Sequence, residues 1–166
     1  MRPPAIPIDK ITALAPACLR MTVPAEWADF NGHMNMRWYL AVYDDAGDVW
    51  HDRMGLTAEF HKPRNTGTVD FEHHIHFLNE VMPGDTIAVY VRVAAFTPKR
   101  VHYLLFMVNE TRGKLASIFE CMNGFMDRTL RKTAPFPAEI AGRLQAEADT
   151  SETLDWAPPL CGAMRA

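Results

Sequence analysis

No stretch of this sequence comes near the unbroken apolar run of about 20 residues that a bilayer-spanning helix needs, so no membrane partner is expected. Basic surplus is missing too. A formal net charge of -3 argues against a general nucleic-acid binder, which shows an excess of Lys and Arg. Cysteine is scarce: Cys18, Cys121 and Cys161 are odd in number, widely scattered and without zinc-ligand spacing. They suit a reducing cytoplasm, the expected location, better than a disulfide framework. The opening Met1-Arg2-Pro3-Pro4 lacks the apolar core of a signal peptide. There is no internal repeat and no low-complexity segment.

What is present is ordinary for a globular protein: 48% apolar and 22% charged residues in a chain of 166. That length suits one domain and buries roughly two thirds of the unfolded surface. Residues 1–17 hold four of the twelve prolines and read as an extended lead-in. Residues 18–148 are expected to form the single domain, and 149–166 a loose C-terminal tail that Trp156 can dock.

Within the domain, residues 18–27 contain a short strand-like run ended near Pro24. From Asn35 to about Met54 the pattern turns helical. Tyr39, Val42, Tyr43, Ala46, Val49, Trp50 and Met54 share one face, and Asp44, Asp45, Asp48 and Asp52 the other. Gly55 is a plausible stop. Residues 56–66 read as a loop. Val69, Phe71, Ile75 and Phe77 then alternate with polar residues as a half-buried strand. Further strands follow at Ile87 to Val93, Arg100 to Glu110 and Leu115 to Asp127. The last two are apolar in both phases, which places them centrally or against a subunit partner. Residues 137–148 read as a short helix behind Pro137. A long helix with one apolar face needs a sheet to cover it. The fold class is therefore α+β: a curved antiparallel sheet of about five strands wrapped around one long central helix. Its open edge implies at least a dimer.

The most informative stretch is residues 29–39, where Asp29, Asn31-Gly32-His33-Met34-Asn35 and Tyr39-Leu40 join the first strand region to the helix. On these residues the chain resembles the hot-dog-fold acyl-CoA thioesterases of the 4-hydroxybenzoyl-CoA thioesterase type, over about residues 18–128. An aspartate, a glycine three residues later and an aromatic on the helix carry the likeness: Asp29, Gly32 and Tyr39. The Asn31–Asn35 wording, together with His76-Phe77-Leu78-Asn79-Glu80-Val81 and Ala134-Pro135-Phe136-Pro137, is similar to the betainyl-CoA thioesterase branch of bacterial carnitine breakdown.

The resemblance implies thioester hydrolysis of a small acyl-CoA in a homodimer or homotetramer, with no cofactor. Asp29 is the implied catalytic carboxylate, as nucleophile or as the base that activates water. Taken without the resemblance, it is equally a helix cap or an Asx-turn residue. The Gly32 and His33 backbone N–H groups are expected at the helix start, as donors to the carbonyl oxygen. His33 can orient Asp29 or touch the substrate; Asn35 can bond the acyl group or cap the helix. If the acyl end is a trimethylammonium, Trp27, Phe30 or Trp38 can contribute an aromatic cage. Lys99 and Arg100 are the first candidates for the CoA phosphates, followed by Arg112, Lys114, Arg128, Arg131 and Lys132. Two other readings remain: a non-catalytic acyl-CoA-binding hot-dog protein, and a hot-dog dehydratase, which would carry Gly-His-Phe-Pro where this chain has Gly32-His33-Met34-Asn35.

His74 and His76 share a strand face at a spacing that can chelate. Nothing else in the sequence supports it, so no metal is expected. His73 falls on the apolar phase and reads as a satisfied core histidine. Glu120, in mid-strand, is expected in a structural ion pair.

Overall fold

A computed structural model describes residues 5–14 and 16–164. The expectation about the first four residues lies outside them. The elements run α1 (Ile8–Thr12), β1 (Leu19–Thr22), α2 (Met36–Met54), α3 (Ala58–His61), β2 (Thr66–Phe77), β3 (Thr86–Thr97), β4 (Arg100–Asn109), β5 (Lys114–Asp127), β6 (Lys132–Thr133) and α4 (Ala138–Glu152). The strands form one sheet in the order β1-β3-β4-β5-β2, with two-residue β6 paired to β5. β1 is antiparallel to β3, Leu19 facing Val89 and Thr22 facing Thr86. The five expected strands are thus present, with one short addition.

The two strands without a polar phase, β4 and β5, each have a neighbour on both sides. β4 is buried from Val101 to Asn109, and β5 from Leu115 to Phe125. β2 ends the order, and among the described residues no strand pairs with its outer edge. Its Phe71 and Phe77 are 46% and 53% exposed, so the half-buried phase read from the sequence is only partly buried.

Helix α2 starts where Asn35 caps it, its Oδ1 accepting the Arg37 N–H at 3.1 Å. Tyr39, Val42, Tyr43, Ala46, Trp50 and Met54 are buried, each large side chain contributing about 1.5–3 kcal/mol. Val49, expected on that face, lies at its border and is 38% exposed. The helix stops at Gly55, whose φ of 88° favours glycine. A Cβ there would collide with Nη1 of Arg143, the same nitrogen that donates to the Met54 carbonyl at 3.1 Å.

The chain divides into two compact units. The first comprises residues 1–50, 75–91 and 105–119; the second comprises 51–74, 92–104 and 120–166. α2 and β2 to β5 each contribute residues to both. In the first, the Tyr43 hydroxyl bonds Ser117 and its ring stacks on Phe119 at 5.0 Å. Buried Asp85 accepts from Met82 N–H, Asn109 and Arg112 at 2.9, 2.7 and 2.7 Å, locking the turns at that end of the sheet. In the second, His102 and Glu120 form the expected buried pair at 2.8 Å. The other Glu120 oxygen accepts the Cys161 N–H at 2.7 Å.

Three stretches differ from expectation. Within the lead-in, residues 8–12 form a turn of helix that buries Ile11. In residues 56–66, Thr57 accepts the Phe60 N–H at 3.1 Å and starts α3, and a 3₁₀ turn Lys62–Arg64 follows. Helix α4 runs four residues past 148, and the chain beyond it is held. Buried Arg92 donates to the Ser151 hydroxyl and carbonyl at 2.7 and 3.0 Å and to the Trp156 carbonyl at 2.8 Å. Its guanidinium also covers the Trp156 ring at 4.2 Å.

Candidate active site

Residues 28–34 form a closed loop between β1 and α2. Ala28 and Met34 pair as an isolated antiparallel bridge. The Asp29 N–H donates to His33 C=O at 2.9 Å, and the Gly32 N–H to Asp29 C=O at 3.0 Å. Gly32 adopts φ 85°, which the turn requires and glycine supplies at little cost. Met34 N–H reaches Val81 C=O at 2.8 Å and Asn35 N–H reaches Trp27 C=O at 2.9 Å, tying the loop to its neighbours. Asp29 Oδ1 accepts the Asn31 N–H at 2.8 Å, an Asx turn that fixes the carboxylate. Among the described residues nothing donates to its other oxygen.

That carboxylate faces a cleft of about 400 Å³ lined by Asp29, His33, Met34, Met36, Tyr39, Phe77, Leu78, Asn79 and Glu80. His33 stands between two carboxylates: Nδ1 lies 3.7 Å from Asp29 and Nε2 lies 3.6 Å from Glu80. Tyr39 and Phe77 meet edge to face, centroids 5.0 Å apart at 88°. Burial pushes the Tyr39 phenol up to about 12; a backbone hydrogen bond from Val81 works against the rise and the Glu80 charge adds to it. Tyr39 is therefore a neutral phenol at physiological pH. The lining carries two carboxylates and no Lys or Arg.

The structure sorts the expected residues. Asp29 and His33 come together on the cleft. Gly32 shapes the loop, but its N–H is taken by Asp29 C=O, and the helix begins four residues later, at Met36. The backbone N–H groups of His33 and Met36 have no acceptor among the described residues, and both belong to residues that line the cleft. Asn35 caps the helix. Trp27 and Trp38 stack on each other, 4.6 Å apart and 4° from parallel, and Phe30 is 96% exposed. None of these three lines the cleft. Lys99, in the turn before β4, and Arg100, its first residue, do not line the cleft either; the Arg100 guanidinium lies 5.5 Å over the Phe71 ring. His73 is exposed and bonds Asp70 at 2.9 Å, so it is not a core histidine. Phe77, Asn79 and Glu80 were missed as site residues, although they stand inside the run 76–81 that carried part of the family likeness.

The family model described as the thioesterase-like superfamily matches residues 23–144. A betainyl-CoA thioesterase of Pseudomonas aeruginosa is 27% identical over 78% of this chain and 81% of its own. An L-carnitine dehydrogenase/betainyl-CoA thioesterase of Rhizobium meliloti is 27% identical over 80% of this chain, which spans 27% of that longer protein. The SAV2348 protein of Staphylococcus aureus, solved in complex with CoA, superposes with a TM-score of 0.80 at 24% identity, over 89% of this chain and 93% of its own.

Proposed function

Because this chain belongs to the thioesterase-like superfamily, and so is a thioester hydrolase with the α+β hot-dog fold, we propose that it hydrolyses betainyl-CoA at the Asp29 cleft. The observation that carries this reading is the lining itself. A fixed carboxylate and a histidine share the cleft with an edge-to-face aromatic pair and a second carboxylate, and neither Lys nor Arg is in its lining. A trimethylammonium head attached to a thioester matches that set. Tyr39 and Phe77 offer ring faces to the methyl groups, and Glu80 offers the counter-charge.

In this reading Asp29 acts as general base. Its unencumbered oxygen takes a proton from water as the water oxygen bonds to the thioester carbon. The backbone N–H groups of His33 and Met36 receive the developing oxyanion, with the start of α2 behind them. Collapse re-forms the carbonyl and breaks the C–S bond; the sulfur takes the proton from Asp29, giving betaine and CoA. His33, between Asp29 and Glu80, holds the base in place. Direct attack by Asp29 is the second route that the same carboxylate allows.

The working assembly in this proposal is a homodimer or homotetramer. β2 has an open edge with Phe71 and Phe77 exposed on it, and the cleft residues 77–80 lie at its end. A second copy along that edge would pair the strand and border the cleft.

The decisive experiment compares betainyl-CoA with its uncharged carbon isostere, 3,3-dimethylbutanoyl-CoA. A desolvated cation–π contact of about 1–2 kcal/mol predicts roughly 5- to 30-fold higher kcat/KM for the cation. Equal rates overturn the betainyl assignment. Binding of both without turnover overturns catalysis at this cleft and leaves an acyl-CoA sensor.

A further inference from the structure

We propose that Asp70, His73 and Cys121 form a binding site for a divalent transition-metal ion of the zinc class, distinct from the thioesterase cleft. One donor atom from each lies within 4.8 Å of the other two. All three belong to the second compact unit, whereas every residue lining the cleft belongs to the first. The proposal does not depend on the substrate assigned above.

The donor set is an oxygen, an imidazole nitrogen and a sulfur, the three ligand types that zinc takes in proteins. His73 Nε2 already lies 2.9 Å from Asp70 Oδ2, near the separation of about 3–3.5 Å that adjacent ligands of one tetrahedral ion adopt. The contact is unusual for its spacing. In an even strand residues three apart point to opposite faces, yet Asp70 and His73, both in β2, meet at hydrogen-bond distance. Broken alternation is the way a strand re-aims a side chain toward a site.

A second observation points the same way. Asn123 is 2% exposed and donates its Nδ2 to Asp70 Oδ1 at 2.5 Å. Its Oδ1 is buried with no hydrogen-bond partner. Turning the amide over would satisfy that oxygen no better, because it would then face the Asp70 carboxylate. A buried amide oxygen with nothing to accept from is a cost that the fold retains. Asn123 also anchors Asp70 as outer-shell partners anchor ligating carboxylates. Access is available, since Asp70 and His73 are exposed while Cys121 closes the site from inside. On binding, the Cys121 thiol loses its proton to solvent and the sulfur donates its electron pair to the ion; no other bond changes. The site leaves a fourth position for water.

Cobalt(II) is the probe for the test, because a thiolate ligand gives it a near-ultraviolet charge-transfer absorption. The full-length protein, stripped with chelator, is titrated with cobalt and then with zinc in competition. The expected result is one saturable charge-transfer band per chain, displaced by zinc and abolished in Cys121→Ser. Asp70→Asn and His73→Gln should each weaken binding about 10- to 100-fold, and His74→Ala should leave it unchanged. Absence of the band in the folded wild type overturns the proposal. So does unchanged affinity in His73→Gln, which alters an exposed side chain and tests the site even where the Cys121 variant fails to fold.

Discussion

In the proposed mechanism Asp29 carries two separable jobs, and one substitution divides them. Its Oδ1 holds the Asn31 N–H at 2.8 Å, and its charge sits 3.7 Å from His33 Nδ1 on the cleft. Asp29→Asn keeps the amide oxygen that accepts from Asn31 and nearly the same volume, but cannot take a proton or attack a carbonyl. Stability should therefore change by less than about 1 kcal/mol, the scale of a single retained turn interaction. Turnover should fall by about 10²–10⁴, the usual contribution of a positioned base, or about 2.7–5.4 kcal/mol of transition-state stabilisation. Asp29→Ala loses the turn as well, and should add about 0.5–2 kcal/mol of destabilisation to the same kinetic loss. The assay is the initial rate of loss of thioester ultraviolet absorbance with betainyl-CoA. It avoids thiol reagents, which would also label partly exposed Cys161. Both kcat and kcat/KM should fall together, since the base acts only in the transition state. If Asp29→Asn keeps kcat within about 3-fold, well under 1 kcal/mol, Asp29 is only an Asx-turn residue and the mechanism above is wrong.

Gly55→Ala should destabilise by about 1–3 kcal/mol in urea unfolding, because φ is 88° and Arg143 fills the space a Cβ would take. Asp85→Ala leaves Asn109 and the Met82 N–H without their acceptor and should cost about 2–4 kcal/mol at pH 7. Burial alone would raise the Asp85 carboxyl, but Arg112, the Met82 N–H and Asn109 outweigh it and hold it below the ordinary carboxylate value. Its contribution is therefore complete above the unfolded pKa of about 3.9. It disappears as pH falls through the lower folded value, where wild-type and Asp85→Ala stabilities should converge. Glu120→Ala strands buried His102 and the Cys161 N–H, and should cost about 3–5 kcal/mol while making residues 153–164 sensitive to limited proteolysis. Phe71→Lys places a charge on the open edge of β2 and should shift the mass seen by light scattering to that of a monomer.

Elements set by long, uniform patterns were legible from residue order. The apolar stripe of α2 and the two-phase hydrophobic runs of β4 and β5 admit one secondary structure each, and the observed bounds fall within a residue or so of the expected ones. Residues 8–12 and 58–64 were not legible. A helix of one turn has too few positions to show a period, and its stability comes from what it buries, Ile11 in one case, or from a local cap, Thr57 in the other. The chain past 148 was legible only in part. Its composition reads as loose, and Trp156 marked a docking point, but the partner, Arg92, is far away in sequence and carries no sign that it gathers Ser151 and Trp156.

The site divides along the same line. Asp29 and His33 belong to one short loop, so their union on the cleft follows from local backbone bonds, which residue identity foreshadows. Tyr39, Phe77 and Glu80 come from a helix, a strand end and the loop beyond it, and meet only through the tertiary fold. Proximity in sequence favoured Trp27, Phe30 and Trp38 for the cation. Yet two flat rings of similar size gain most by stacking on each other, as Trp27 and Trp38 do, and once paired they offer fewer faces to a ligand. Charge gives the better criterion. A site for a trimethylammonium must exclude Lys and Arg and keep a carboxylate near an aromatic face. Glu80, three residues after Phe77, meets that requirement where Trp27 and Trp38 do not. If Tyr39 and Phe77 supply the face and Glu80 the charge, Glu80→Gln should lower the preference for betainyl-CoA over its uncharged isostere and leave hydrolysis of the isostere nearly unchanged. Glu80 is largely exposed, at 73%, so screening limits the loss to about 0.2–1 kcal/mol, roughly a 1.4- to 5-fold change in that ratio. An equal fall with both substrates would instead mean that Glu80 acts through His33 on the chemistry itself.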